Sequence, residues 1–497
     1  MNSLKTILSK IFKSVFLLST LVSFASCPAP SGFPVDLTIS SPPTPLTAAE
    51  VQSVIEASAV AVNNDSQALV VVDRRGVPLA VYSKPGATDA IRETALSLAR
   101  TGAFFSNDQA PLSSRTVNFI SREHFPPGIS NTASGALYAI ENTNRGCSLN
   151  TTFVAGKTVI PATALDGIST GNGITVTPGG IPLFKNGRLV GGIGVAGGSD
   201  AENEFAAVNA LSVFPVSAAS PGVIFIDGVA LPFAIQLTLP EGSTAGSLSG
   251  AYTLAPASGG VPDDGELVTP KDSPTADDPK LVAADVSTII NNAITTANRT
   301  RGIIRLPIGQ RAKMAIAVTD LDGNILGLYR MTDSTIFSTD VAVAKARNVT
   351  YFSGPDVATE DLIPGLPLET AVTNRTIGFG SQPFFPSGID STTPGPYRDI
   401  YNYDTAHPCT QGRQPANANQ NGIVFFPGSS PLYKVNASGQ KVLVGGLGVS
   451  GDGVEQDDYV TSAGMAGYEP PEEIRADHYL INDVRLPFLK FPRNPEN

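Results

Sequence analysis

Three imidazoles and three thiols carry most of the reactive chemistry this chain of 497 residues could support: His124, His407 and His478, and Cys27, Cys147 and Cys409. A histidine serves as a general base near neutral pH or as a metal ligand through one ring nitrogen. A thiolate is a nucleophile or a ligand. Catalysis by either requires partners at particular spacings, and the chain has no H-E-x-x-H and no C-x-x-C pair. With three histidines in all, a Ser-His-Asp arrangement has little material, so a hydrolase is disfavoured and no catalytic residue is assigned. Asp73, Asp320 and Asp322 precede glycines at tight turns. Aspartate there bonds its own backbone, so these residues are read as turn formers and not as a metal site.

The elements that must position these residues come from a repeat. Leu46-Thr47-Ala48-Ala49-Glu50-Val51 returns as Leu281-Val282-Ala283-Ala284-Asp285-Val286, each opening a stretch with apolar residues at helical spacing. Thr47 and Glu50 form a capping-box pair, and the second copy lacks the hydroxyl. Ala68 to Val72 with Asp73-Arg74-Arg75-Gly76 matches Ala315 to Thr319 with Asp320-Leu321-Asp322-Gly323. These read as strands entering hairpin turns. A second helical pattern ends in Ala99-Arg100 and Phe104-Phe105-Ser106 in one copy, and in Ala346-Arg347 and Tyr351-Phe352-Ser353 in the other. Arg115-Thr116-Val117-Asn118-Phe119 then matches Arg375-Thr376-Ile377-Gly378-Phe379, and Pro182-Leu183-Phe184-Lys185 matches Pro431-Leu432-Tyr433-Lys434. Last, Leu231-Pro232-Phe233 matches Leu486-Pro487-Phe488, read as a terminal strand. Two copies of one domain, 46–240 and 281–497, are therefore expected, joined by a Pro/Gly/Ser/Asp-rich linker at 241–280.

Gly192-Ile193-Gly194-Val195-Ala196-Gly197 fits the dinucleotide pattern G-x-G-x-x-G. Its strand is the return arm of a hairpin turning at Asn186-Gly187, so its neighbour is antiparallel, whereas a dinucleotide fold requires a parallel partner. The glycines are read as contacts between strand and helix. The helix that follows, capped by Ser199 and Glu202, could still offer free N–H groups to an anion.

At the amino terminus, Lys5, Lys10 and Lys13 precede an apolar run from Val15 to Phe24 that ends in Ala25-Ser26-Cys27, the order of a secretory signal. Phe24-Ala25-Ser26-Cys27 resembles a lipobox, departing from it at Phe24. Cys27 is thus the expected lipidation site of residues 1–27; the alternative is an ordinary signal cleaved near Cys27. Residues 28–45, dense in Pro and Ser, read as a tether. Over the whole chain, a net charge of -11 without a Lys/Arg cluster argues against a nucleic-acid surface. A hydrophobic content of 42% supports sizeable cores.

The paired hairpins, the Arg330-Met331-Thr332-Asp333 run, the helix ending Ala344-Lys345-Ala346-Arg347, and the Gly-Gly-Ile-Pro-Leu-Phe and Gly-Gly-Ile-Gly-Val-Ala-Gly-Gly blocks resemble the HbpS/GlcG family, which includes the C-terminal domain of PduO-type proteins. The resemblance implies an α/β (α+β) fold, two antiparallel sheets flanked by helices and paired as a pseudo-dimer. It also implies symmetric oligomers and, in several members, binding or oxidative degradation of haem. The inserts at 111–178 and 363–427 and the Leu-Pro-Phe segment lie outside the minimal domain.

On that resemblance, His124 and His407, both in inserts, are the candidate iron ligands, with Tyr138, Met331 and the cysteines as other donors. The plain alternative is a surface residue. No histidine is matched between copies: Phe384 aligns with His124, Arg145 with His407 and Val223 with His478. Arg115 and Arg375 are matched, and could pair with propionates or form internal salt bridges. Cys147 and Cys409 hold equivalent places, and in an exported protein read as a disulfide near the pseudo-twofold axis or as two buried thiols. Three functions stay open: an envelope lipoprotein binding haem or a related tetrapyrrole, a cofactor-free interaction module, and an enzyme acting on a small organic acid. The last rests on no residue here.

Overall fold

The computed structural model describes residues 43–143, 165–168, 173–216, 224–255, 260 and 262–496. The signal, Cys27 and Cys147 lie outside them.

In the first repeat, α1 (Ala48–Ala59) starts at Thr47, whose hydroxyl accepts from the Glu50 N–H while the Glu50 carboxylate accepts from Thr47 N. After it come β1 (Ala68–Asp73), β2 (Pro78–Ser83), α2 (Asp89–Phe105) and the short α3 (Ser114–Phe119). Next are β3 (Gly180–Lys185), β4 (Arg188–Ala196), α4 (Asp200–Val208) and a small hairpin of β5 (Phe225–Ile226) and β6 (Val229–Ala230), followed between the repeats by β7 (Ala251–Leu254) and β8 (Gly265–Val268). The hairpin turns are built as their residues dictate. Asp73 Oδ1 accepts from the N–H groups of Arg75 and Val77, each at 2.9 Å. Asn186 and Gly187 both hold positive φ, as a two-residue hairpin turn needs.

The second repeat runs through the same series. It comprises α5 (Ala283–Ala297), β9 (Ala315–Thr319), β10 (Ile325–Arg330), α6 (Phe337–Phe352), α7 (Asn374–Gly380), α8 (Arg398–Ala406), β11 (Ser429–Val435), β12 (Lys441–Ser450) and α9 (Val454–Gly464). At the start of α5 only half of the capping box survives: Val282 N donates to Asp285 Oδ2 at 2.9 Å, and no hydroxyl answers it.

Both sheets are antiparallel with five strands in the same order, β3-β4-β1-β2-β7 and β11-β12-β9-β10-β8. The fifth strands correct the linker expectation. β7 (Ala251–Leu254) and β8 (Gly265–Val268) both come from 241–280, and pair with β2 and β10 respectively. The segment covers the edge of each sheet, which would otherwise expose unpaired backbone.

The Leu-Pro-Phe segments are not strands. Proline lacks the N–H a ladder needs, and the carbonyls are taken by hydroxyls instead. Thr116 Oγ1 donates to Pro232 O at 2.8 Å, and Thr376 Oγ1 to Pro487 O at 2.6 Å. The glycine block is antiparallel on both sides, and it does pack strand on helix. A Cβ at Gly194 would meet Ala95 O of α2 at 2.0 Å, and one at Gly448 would meet Ala342 O of α6 at 1.9 Å.

The two repeats share one compact unit, Val35–Asn497. A buried charge network joins them. Asp333 of the second repeat binds Arg74 of the first at 2.6 Å and Arg305 at 2.8 Å, and accepts from the Asp108 N–H at 3.1 Å. No helix among the described residues is long and apolar enough to cross a membrane.

Candidate functional site

The inserts expected to carry function pack against each other, and a cavity of about 410 Å³ opens where they meet. Arg122, His124, Tyr138 and Glu141 of the first repeat and Tyr401 of the second help to line it. The loop carrying His124 follows α3, and Phe125 N donates to Ala133 O at 2.8 Å to close it. Within the loop, His124 Nδ1 lies 2.9 Å from Thr132 O. A carbonyl only accepts, so Nδ1 carries the proton and the neutral ring keeps its lone pair on Nε2. Nε2 is 3.4 Å from Asp390 Oδ1 of the second repeat.

Tyr138 forms the back of the cavity. Burial pushes its phenol well above the usual tyrosine range, although Arg398 Nη1 donates to its oxygen at 2.8 Å. Its ring stacks on Tyr401 at 5.6 Å, and the Arg398 guanidinium lies over the other partner, Tyr401, at 4.4 Å. The arrangement offers one imidazole lone pair, two aromatic faces and, in the exposed Arg122, a cation at the rim.

The other expected ligands fall elsewhere. His407 is exposed at the end of α8, stacked on Tyr403 at 4.0 Å with Nδ1 against Tyr403 O, and is not brought to His124. Met331 is fully buried, and its sulfur accepts from Met314 N at 3.4 Å. Arg115 and Arg375 form internal salt bridges, one of the two roles open to them in the sequence. Arg115 grips Glu204, whose Oε2 also accepts from the N–H groups of Ile235 and Gln236 at 3.1 and 2.9 Å. Arg375 grips Asp458, whose Oδ2 accepts from Lys490 N at 2.9 Å. Each pair pins the chain just beyond Leu-Pro-Phe. Cys409 is disulfide-bonded, while its expected partner Cys147 lies outside the described residues. No cluster of three or more His, Cys, Asp or Glu among the described residues could hold a metal by itself.

Two features went unread in the sequence: the Arg74–Asp333–Arg305 network and a buried Lys345–Asp457 pair. A signal for the second existed in the repeat alignment, where Leu98 and Asn203 stand opposite Lys345 and Asp457.

The family model described as haem degrading protein HbpS-like matches residues 46–212 and 283–466, one stretch per repeat. The chain belongs to the HbpS-like family. Among solved structures, a PduOC–haem complex is 18% identical over 38% of this chain and 94% of its own, with a TM-score of 0.23. The Klebsiella pneumoniae protein ORFY is 20% identical over 36% of this chain and 98% of its own, with a TM-score of 0.24. A double mutant of Streptomyces reticuli HbpS is 20% identical over 37% of this chain and 98% of its own, with a TM-score of 0.23. No curated relative matches the chain. The HbpS-like repeats thus place a single imidazole, His124, in the cavity that their inserts share.

Proposed function

We propose that this protein binds haem or a related tetrapyrrole in the cavity around His124. The observation that carries the reading is the setting of that imidazole at a cavity of about 410 Å³, with Nδ1 tied to the Thr132 carbonyl and Nε2 3.4 Å from Asp390 Oδ1. A carbonyl holding the second ring nitrogen is the usual support of a metal-binding histidine, and histidine is a common haem ligand. The cavity falls in the size range of small-molecule sites, about 300 to 1,000 Å³. The flat faces of Tyr138 and Tyr401 suit a macrocycle, and Arg122 suits a propionate. The bound group would supply iron-centred redox chemistry; the chain's residues hold it, orient it and limit water at one face. Membership in a family described as haem degrading favours the same ligand.

The reading includes export and lipid anchoring at Cys27, supported by the basic, apolar and small-residue order before it and the Pro/Ser tether after it. Mass spectrometry of the mature N-terminus, showing a diacylated Cys27 or another first residue, decides that part.

A second reading, a cofactor-free interaction module of the cell envelope, is favoured by one observation: Arg115 and Arg375, matched between repeats, both serve the fold. Haemin titration separates the two. A saturable Soret band that is lost in His124→Ala and kept in His407→Ala supports haem binding. No band in the unaltered protein leaves the interaction module.

A further inference from the structure

The repeats differ most in chemistry at a place far from any histidine. Lys345, on α6, has a fully buried side chain, and its Nζ donates to Val449 O at 2.8 Å and to Asp457 Oδ2 at 3.0 Å. The ammonium also lies 5.1 Å from the centre of the Phe426 ring. Room for the pair depends on Gly428, at φ +117°, where a Cβ would come within 2.7 Å of both Lys345 Nζ and Asp457 Cβ. Burying two charges carries a large desolvation cost and is weak as a stabilising device. The fold does not need it. In the first repeat Leu98 replaces the lysine, and Asn203 replaces the aspartate and turns its amide onto Gly198.

Asp457 borders a chamber of about 50 Å³ between the repeats, walled mainly by Ile120, Leu137 and Ile226 from one and Ile304, Phe337 and Phe426 from the other. Lys345 occupies Oδ2, and the buried Oδ1 has no hydrogen-bond partner. A buried acceptor left unpaired is costly, the more so when it is charged. The chamber has room for about three waters. Its walls are mainly apolar, and the hydroxyls of Thr335 and Ser338 that reach it are bonded to each other. Ile226, Ile303, Phe426 and Val454 are shared with a groove of about 600 Å³ outside, whose walls combine an aromatic strip of Phe125, Phe379 and Phe425 with charged residues such as Arg301, Glu455 and Arg493. An apolar body fits the groove, and a hydrogen-bond donor fits the chamber.

The geometry points to a second binding site, carried by the second repeat alone, for a small apolar molecule with a hydroxyl head such as a phenol, its O–H donating to Asp457 Oδ1. The site does not use the His124 imidazole, which lines neither the chamber nor the groove, while the groove shares Tyr138 with the cavity of the haem reading and Phe125 and Ala133 with the loop that carries His124. The test uses the full mature chain, without haemin, titrated with 2-naphthol and with 2-methoxynaphthalene, which keeps the apolar body and lacks the donor. The variant Lys345→Leu/Asp457→Asn installs the residues that the first repeat already tolerates, and haemin titration with circular dichroism checks that it folds. The expected result is one site for 2-naphthol, at least tenfold weaker in the variant, with 2-methoxynaphthalene bound by the unaltered protein at that weaker level. His124→Ala keeps the 2-naphthol site. Equal binding of the two probes, equal binding by protein and variant, loss of the site in His124→Ala, or no binding of 2-naphthol would each overturn the inference.

Discussion

His124 and Phe384 hold the same position in the two repeats and stack on each other, ring centres 5.5 Å apart and planes 17° from parallel. A residue touches its own counterpart only near a twofold axis. Tyr138 and Arg398, also equivalent, meet at 2.8 Å, so the local axis passes between the two inserts. Symmetry there would supply two ligands; the sequence supplies one. The expected stoichiometry is therefore one haemin per chain, with Phe384→Ala weakening and His124→Ala abolishing the band. Two equivalents in a spectroscopic titration, or a band that survives His124→Ala, would rule out this site.

Much of this arrangement was legible because the chain carries its own comparison. Matched blocks gave the order of helices and hairpins, and the turn residues Asp73, Asn186 and Gly187 gave the antiparallel neighbours, since their chemistry is local. What escaped was set at long range. β7 and β8 are four residues each, in a segment whose Pro, Gly and Asp content reads as linker, and only the open sheet edges turn them into strands. Arg115 and Arg375 were equally open to a ligand or to the fold, because Glu204 and Asp458 lie more than eighty residues away. His124 was readable as a candidate, but its Thr132 and Asp390 partners, which separate it from His407, depend on how the insert folds back.

Asp333 should be the most sensitive single position at the junction of the repeats. Burial alone would raise its carboxyl, yet Arg74 and Arg305 outweigh that and hold it down to about 2. Asp333→Ala leaves two buried guanidiniums facing each other, and breaking such a pair costs about 3–5 kcal/mol. The folded pKa lies below the unfolded value, so this contribution is present above the unfolded value of 3.8 and is lost as pH falls toward about 2. Urea midpoints should show a large gap between protein and variant at pH 7 that narrows on acidification below pH 4. A gap that stays constant would contradict the assignment.

The segment between the repeats should behave as part of both sheets. Replacing Ala251–Leu254 with a Gly/Ser stretch removes the partner of β2, and leaves Tyr82 without its 6.2 Å contact to Tyr252. The expected outcome is faster amide exchange along β2 and a new tendency to self-associate through the bared edge. Replacing Gly265–Val268 should do the same to β10 and spare β2. Unchanged exchange in either strand would mean the segment is a linker after all.

The Lys345–Asp457 pair should leave its mark on stability against pH. Burial drives the Asp457 carboxyl up to about 7 against the pull of Lys345, with Asp458 beside it and Asp452 from the preceding loop adding repulsion; Arg375 faces the same cluster from α7. The folded protein therefore holds a proton between the unfolded value of 3.8 and about 7 that the unfolded chain has released. Stability from this group is greatest at the acid end of that window and declines as pH rises through it, the reverse of Asp333. Lys345→Leu/Asp457→Asn removes both members of the pair and leaves Asp452, Asp458 and Arg375 in place. Measured by denaturant midpoint, the unaltered protein should lose stability relative to that variant between pH 4 and pH 7, with the difference level above pH 7. A difference that is flat across the window, or that grows in the protein's favour as pH rises, would show that Asp457 is already ionised at pH 4.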